Sequence, residues 1–341
     1  MPSVIAHRAL ELAMEEAQRL HAALDLGFFG GEPLLEWDLL RECDTYLRNR
    51  AQGLPAPPRF TITTNGTLLT TERAAWLAEQ RYMVVLSLDG SAAMHNLNRM
   101  YHDGRGSHTA AATALHILNH TPGMLYQTAC VLTANNYHHA AEGIAWLKAH
   151  QPGIIMLNVD YWTPWSKADL QGAEEQLARC ADLILQSFRE GNPILAEPFL
   201  SKMALLLRGG QRPCDCCRMG ERELCVSVDG GLFPCSRLVG SAENPTLSLG
   251  DVTHGIDRNN QATLLLRRRQ LPDRCAACAE RPFCIYHCGC TNYATTGDVA
   301  RVGETTCHME QCFIAHARRI TKLLRAERNP AFFSILGHLI P

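Results

Sequence analysis

The sequence predicts an α/β fold built from parallel β/α units and followed by a small, cysteine-rich α+β module. Three observations carry this. Segments of strand and helix periodicity alternate through the first 190 residues, the early strands end in loops of Gly, Asn or Asp, and twelve of fifteen cysteines fall between Cys214 and Cys312.

The elements follow in order. Leu10, Ala13, Met14, Ala17, Leu20 and Leu24 share one face at helical spacing, which predicts a helix over 4–24. A short strand over 26–29 runs into Gly30-Gly31-Glu32-Pro33 and a helix carrying Leu39, Leu40, Cys43 and Leu47. The pattern repeats with strands over 60–64, 83–88, 125–133 and 154–159, alternating with helices over 70–80, 107–120, 136–149 and 169–190. Five strands alternating with helices of this length imply parallel crossovers with helices outside the sheet.

Loops at the C-terminal edge of such a sheet are where ligands bind, because they vary while the scaffold stays rigid. Gly30 and Gly31 lack a Cβ and let a ligand approach the backbone, while Pro33 suits the first turn of the next helix. Asn65-Gly66 and Asp89-Gly90 close two further strands. Alone each reads as a plain turn; three in order ahead of a cysteine module read as a site.

The cysteines have a fixed syntax: Cys217-x12-Gly230-x4-Cys235, then Cys275-x2-Cys278-x5-Cys284-x3-Cys288, then Cys307. The first residues run directly into a charged helix with no signal-peptide pattern, so a reducing cytoplasmic compartment is expected, where close cysteines hold metal rather than disulfides. Thiolates accept zinc or iron–sulfur clusters, and spacing alone does not separate them. Asp229-Gly230-Gly231 reads as a hairpin turn presenting Cys235 at a strand end. Cys43, Cys130 and Cys180 occupy apolar positions and read as small core hydrophobes.

Composition excludes other classes. The net charge of −2 leaves no electrostatic footprint for nucleic acid, and the basic run Arg267-Arg268-Arg269 reads as the solvated end of a helix. The apolar tail over 331–340 is far short of the roughly 20 residues of a membrane span, so it is expected to cap the core or pack on a partner.

The run from Gly27 to Leu35, the segment Thr63-Thr64-Asn65-Gly66-Thr67, and Ser87-Leu88-Asp89-Gly90 with His95 to Arg99 resemble the core of radical S-adenosylmethionine (SAM) enzymes. The cysteine syntax resembles their C-terminal SPASM extension, which carries two auxiliary 4Fe–4S clusters. The resemblance implies a partial β/α barrel lacking its first strand over residues 1–200, a SPASM domain over 201–320 and a tail over 321–341. It assigns SAM binding to Gly30, Gly31, Glu32 and Pro33, and the lining of the cofactor or substrate pocket to Asn65, Ser87 and Asp89. Cys275, Cys278, Cys284 and Cys307 resemble the ligands of an outer cluster; Cys217, Cys235 and Cys288 resemble those of an inner one. Cys214 is the upstream candidate for the fourth inner ligand, with Cys216, Cys225 or an open position as alternatives, while Cys290 and Cys312 stand outside the motif.

The Cys-x3-Cys-x2-Cys triplet that binds the catalytic cluster in such enzymes occurs nowhere in the chain. This sequence is expected to be an N-terminally truncated form that does not cleave SAM as written. A full-length form is expected to modify a ribosomally made peptide or a protein side chain by hydrogen abstraction, fed by a flavodoxin- or ferredoxin-like electron donor. Sulfatase maturation is the runner-up, because Ser236 stands where those relatives carry an Asp base, and a hydroxyl is too weak a base at neutral pH. A non-catalytic cluster protein that passes electrons or holds a peptide is a further alternative, as is a zinc-stapled module.

Overall fold

A computed structural model describes residues 1–240 and 247–339. Its first half is β1 (Asp25–Phe28), β2 (Arg59–Thr64), β3 (Met83–Ser87), β4 (Leu125–Leu132), β5 (Ile154–Val159) and β6 (Ala196–Glu197), paired in parallel in chain order. The helices between them are α1 (Ser3–Arg19) ahead of β1, α2 (Trp37–Arg50), α3 (Thr71–Glu79), the short α4 (Ala92–His95), α5 (His108–His120), α6 (Ala140–Ala149) and α7 (Lys167–Arg189).

Alternation of burial assigns the two faces of the sheet. In β2, Phe60, Ile62 and Thr64 are buried while Thr61 and Thr63 are half-buried, and β5 repeats the pattern with Ile155, Leu157 and Val159. The buried set joins Leu34, Leu47, Leu77 and Leu147 in one core. Each such side chain contributes about 1.5–3 kcal/mol on leaving water. The half-buried set is therefore the face available to a ligand.

Two sequence expectations are corrected here. A sixth strand exists: β6 pairs Ala196 with Ile155 but is only two residues long, too short to show a period of two. Helix α1 stops at Arg19 rather than 24, because His21 takes a positive φ of 48° and turns the chain toward β1. Helix α7 begins at Lys167, two residues ahead of the expected 169, because a capping box starts it there: the Asp169 N–H donates to Ser166 Oγ (3.1 Å) and the Ser166 N–H donates to Asp169 Oδ2 (2.9 Å).

The second half starts with α8 (Phe199–Leu207) and continues through two small antiparallel pairs, β7 (Cys225–Val226) with β8 (Leu232–Phe233) and β9 (Gly250–Asp251) with β10 (Gly255–Ile256). Gly230 turns the first pair at φ 93°, as the Asp-Gly-Gly signal implied. Then come α9 (Arg258–Arg268), α10 (Asp273–Ala276), α11 (Gly289–Thr296), α12 (Glu304–Ala326) and α13 (Pro330–Leu336). Met219, Leu232, Leu238 and Leu249, all buried, give this half a core of its own.

The long α12 joins the halves: Met309, Phe313 and Ile320 belong to the main core while Cys307 at its start faces the other thiols. Phe332 of α13 is fully buried, and Asn329 caps that helix through Phe332 N–H (2.9 Å), so the tail covers the main core. Ile340, at the end of that apolar stretch, lies outside the described residues. In the basic run Arg267 pairs with Asp298 (2.7 Å), but Arg268 is not solvated: it is nearly buried and donates to the Cys217 carbonyl.

Candidate cofactor and cluster site

Glu32 organises the first loop. Its carboxylate accepts hydrogen bonds from Leu34 N–H (3.0 Å), Thr64 Oγ1 (2.7 Å) and Asn65 N–H (2.7 Å), so the loop after β1 is tied to the end of β2. Gly30 and Gly31 precede it at φ 94° and 46°, exposed, and a Cβ placed on either meets nothing within 4 Å. Bare backbone under open space is what the approach of SAM to this loop requires, so these residues fit the group. Pro33 opens a single 3-10 turn over Pro33–Glu36. Asn65 Oδ1 accepts from Thr67 N–H (2.9 Å) and Thr67 Oγ1 (2.7 Å), which fixes the second turn.

The end of β3 divides its expected residues. Ser87 pairs with Ala129 and lies half-buried on the ligand-facing side of the sheet. Asp89 is turned inward at 1% exposure, and both oxygens are committed within the protein: to Arg99 Nε and NH2 (2.7 and 3.0 Å) and to Val131 N–H (2.8 Å). His95 Nδ1 accepts from the Asp89 N–H (3.2 Å), and burial, with the Arg99 charge beside it, lowers this imidazole to about 3. These groups brace the strand end. Asp160 likewise caps its own turn through Trp162 N–H (2.9 Å) and Thr163 Oγ1 (2.8 Å), and Asn135 is exposed.

A chamber of about 620 Å³ lies between the open face of β4 and β5 and the cysteine-rich half. Gln127, Met156 and Asn158 line it from the sheet; Cys217, Cys235 and Cys288 line it from the other side. Tyr161, Glu223, Ser236 and Cys290 also line it. Cys288 is held well below the ordinary thiol range by hydrogen bonding to Cys217 and then Cys290, whereas Cys217 is pushed up by its bond to Cys288, and Cys290 by its bonds to Cys235 and then Cys288. Burial, then Cys288, raises the Glu223 carboxyl.

Cys275, Cys278, Cys284 and Cys307 line one separate cavity. Burial raises the Cys275 thiol, with Cys307 and Cys278 adding to it, and burial also raises Cys284, followed by Glu310. The loop bearing Cys284 is anchored from α8 and α12. Lys202 Nζ donates to Phe283 O (2.7 Å) and to Glu310 Oε2 (2.6 Å), which also accepts from Ile285 N–H (2.9 Å).

Among the described residues only Glu174, His308 and Cys312 offer three ligand atoms mutually within 4.8 Å. Neither thiol set is thus drawn as tightly as a single zinc ion requires, since Zn–S bonds of about 2.3 Å in a tetrahedron put sulfurs about 3.8 Å apart. Sets of several soft thiolates accept a polynuclear iron–sulfur group. Sequence reasoning placed Cys214 at the inner site, but the structure leaves it exposed, with Asp215 Oδ1 4.0 Å from its sulfur. It missed Cys290 at the chamber wall and the anchoring pair Lys202 and Glu310, which no motif marks.

No protein-family model matches the chain. Among curated proteins, a cysteine-type anaerobic sulfatase-maturating enzyme of Clostridium novyi (strain NT) is 25% identical over 218 residues, 61% of this chain and 57% of that protein. An uncharacterized protein of Archaeoglobus fulgidus is 24% identical over 321 residues, 88% of this chain and 72% of its own. The chain thus spans under two thirds of the length of the named curated relative. Among solved structures, native anSMEcpe with bound AdoMet and the Kp18Cys peptide superposes with a TM-score of 0.77 at 19% identity, covering 96% of this chain and 91% of the other. Streptococcus suis SuiB bound to S-adenosylmethionine gives 0.57 at 17% identity, covering 90% and 70%.

The fold is the one these structures share, a six-stranded parallel sheet with helices. The chain is thus similar in sequence to a sulfatase-maturating enzyme and in fold to the SAM-bound anSMEcpe and SuiB structures.

Proposed function

We propose that the chain carries the SAM loop and two auxiliary 4Fe–4S sites of an oxidoreductase that modifies a peptide or protein side chain after hydrogen abstraction. The observation behind this reading is the chamber whose one wall is the sheet and whose other wall is thiols. In this reading Gly30, Gly31, Glu32 and Pro33 hold SAM, with Asn65 and Ser87 beside them, and Asp89 sets the position of the strand end. Cys217, Cys235 and Cys288 hold the inner cluster, and Cys275, Cys278, Cys284 and Cys307 hold the outer one. When bound, such clusters supply one-electron redox chemistry.

The remaining work falls to the chain. Glu32 keeps the first two loops as one unit, Met156 and Asn158 offer apolar contact and an amide to the substrate, and Lys202 fixes the Cys284 loop. A flavodoxin- or ferredoxin-like donor and a cytoplasmic setting belong to the same proposal. The chain has no Cys-x3-Cys-x2-Cys triplet, and SAM cleavage by this sequence alone is no part of it.

A second reading, maturation of sulfatases, is favoured by the name of the curated relative. Ser236 weighs against it: the position beside Cys235 faces the chamber with a hydroxyl instead of a carboxylate.

Anaerobic purification and reconstitution, followed by iron, sulfide and zinc analysis, tests the proposal. Two clusters correspond to about eight irons and eight sulfides per chain. A colourless chain, or zinc without sulfide, overturns it.

A further inference from the structure

We infer that Glu174, His308 and Cys312 form a zinc-type metal site that fastens α7 to α12, with its fourth position open to water. The site stands apart from the two thiol cavities, whose linings include none of the three.

The helices bring the three residues together. His308 and Cys312 are four residues apart in α12 and so project from one face of it, while Glu174 comes from α7, which packs against α12. One ligand atom from each residue lies within 4.8 Å of the other two. His308 Nε2 and Glu174 Oε2 are 3.4 Å apart, close to the roughly 3.3 Å between nitrogen and oxygen ligands in a tetrahedron of bonds about 2.0 Å long. A Zn–S bond of about 2.3 Å asks for roughly 3.6 Å from the sulfur to each of them, which leaves a gap of at most about 1.2 Å. Glu174 and His308, with 55% and 31% of their side chains exposed, have the freedom to close it.

The surroundings ask for a cation. His308 Nε2 is shut off from solvent yet has no hydrogen-bond partner, because the approach of Glu174 is not aligned as a hydrogen bond. Among the described residues Glu174 has no lysine or arginine partner, and Arg319, on the same seam, is taken by Asp182 (2.7 Å). An imidazole nitrogen, a carboxylate and a thiol facing one point make the mixed N, O and S set that suits zinc, whereas magnesium and calcium call for oxygen alone.

Zinc at this site ties the sheet half to the cysteine-rich half, because α7 follows β5 and α12 carries Cys307 near its start. His308 is the next residue, so an occupied site also fixes the turn that presents Cys307.

The test adds zinc sulfate anaerobically to the reconstituted chain and to Glu174→Gln, His308→Ala and Cys312→Ala, removes unbound metal by gel filtration, and counts zinc per chain. Wild type is expected to retain one zinc more than each variant; zinc held by other thiols is common to all and cancels. Each variant is expected to bind that zinc at least tenfold more weakly, since even changes behind the ligands of zinc sites cost about 10–100-fold. X-ray absorption at the zinc edge is expected to show one sulfur and otherwise nitrogen or oxygen. Zinc at about 100 times its Kd is expected to raise the Tm of wild type by about 5 °C more than that of Glu174→Gln. Glu174→Gln alters an exposed group and leaves the core intact, so it decides the question if His308→Ala or Cys312→Ala unfolds. Equal zinc retention by wild type and Glu174→Gln, a shell of sulfur alone, or no zinc-dependent difference in Tm overturns the inference.

Discussion

Removing the Lys202 ammonium should destabilise the protein through the outer thiol site. Lys202 Nζ and Glu310 Oε2 are 2.6 Å apart with 2% and 4% of their side chains exposed. At an effective dielectric constant of 20 the attraction at that distance is about 6 kcal/mol. Desolvating each ion costs several kcal/mol, so the pair adds little net stability while its halves cannot be separated cheaply. Lys202→Met leaves the carboxylate with the Ile285 N–H and strips the Phe283 carbonyl of its donor. The expected cost is about 3–5 kcal/mol, or a fall in Tm of about 6–10 °C at roughly 2 °C per kcal/mol for a chain of this size. Glu310→Leu should cost a similar amount. The double variant Lys202→Met/Glu310→Leu loses only the two backbone partners, about 2–4 kcal/mol, far less than the sum of the single changes. Anaerobic thermal unfolding of all four proteins, with iron content measured alongside, reads both effects. If Lys202→Met costs under about 1 kcal/mol, or if the two single costs simply add, the reasoning about a buried coupled pair is refuted.

Glu32→Ala removes the acceptor of three hydrogen bonds at once and should cost about 2–3 kcal/mol while weakening SAM binding at least tenfold in calorimetric titration; unchanged binding would detach the loop tie from cofactor affinity. Gly90 stands at φ 90°, and an added Cβ would lie 2.4 Å from Gly143 Cα, so Gly90→Ala should cost about 3 kcal/mol or more in Tm measurements. Gly27→Ala, with nothing within 4 Å, is the comparison and should cost under about 1 kcal/mol. His95 is neutral in the folded protein down to about 3, whereas the unfolded chain takes up its proton near the ordinary value of about 6.5. Stability should therefore fall with pH across that window by about 1.4 kcal/mol per unit from this group. His95→Asn should flatten the slope in chemical denaturation; an unchanged slope would show that the imidazole is not the group responsible.

Much of the architecture was legible because its signals are local. Five strands carried β-period alternation or continuous apolar runs, and the helix expected over 169–190 is α7 to within two residues at either end. The two-residue β6 had no period to read, and the end of α1 depended on one backbone angle at His21. At the candidate site, Gly30, Gly31 and Glu32 were visible as a motif, yet what Glu32 does became visible only when Thr64 and Asn65 were placed against it. Asp89 looked like a pocket residue because the resemblance placed it there; its inward turn toward Arg99, ten residues on, is a tertiary fact. Cys290 stood outside the cysteine motif, and its 3.5 Å contact with Cys288 arises through the first turn of a helix whose start the pattern of cysteines concealed.

The chamber's divided wall carries a mechanical implication. With Asn158 on one side and Cys235 on the other, its volume belongs to neither half and depends on how α12, which adds Glu310 and Phe313 to the lining, seats on α7 and α8. Substitutions at that seam, remote from strand and thiol alike, can retune which guests are admitted while the chemistry of the walls stays the same.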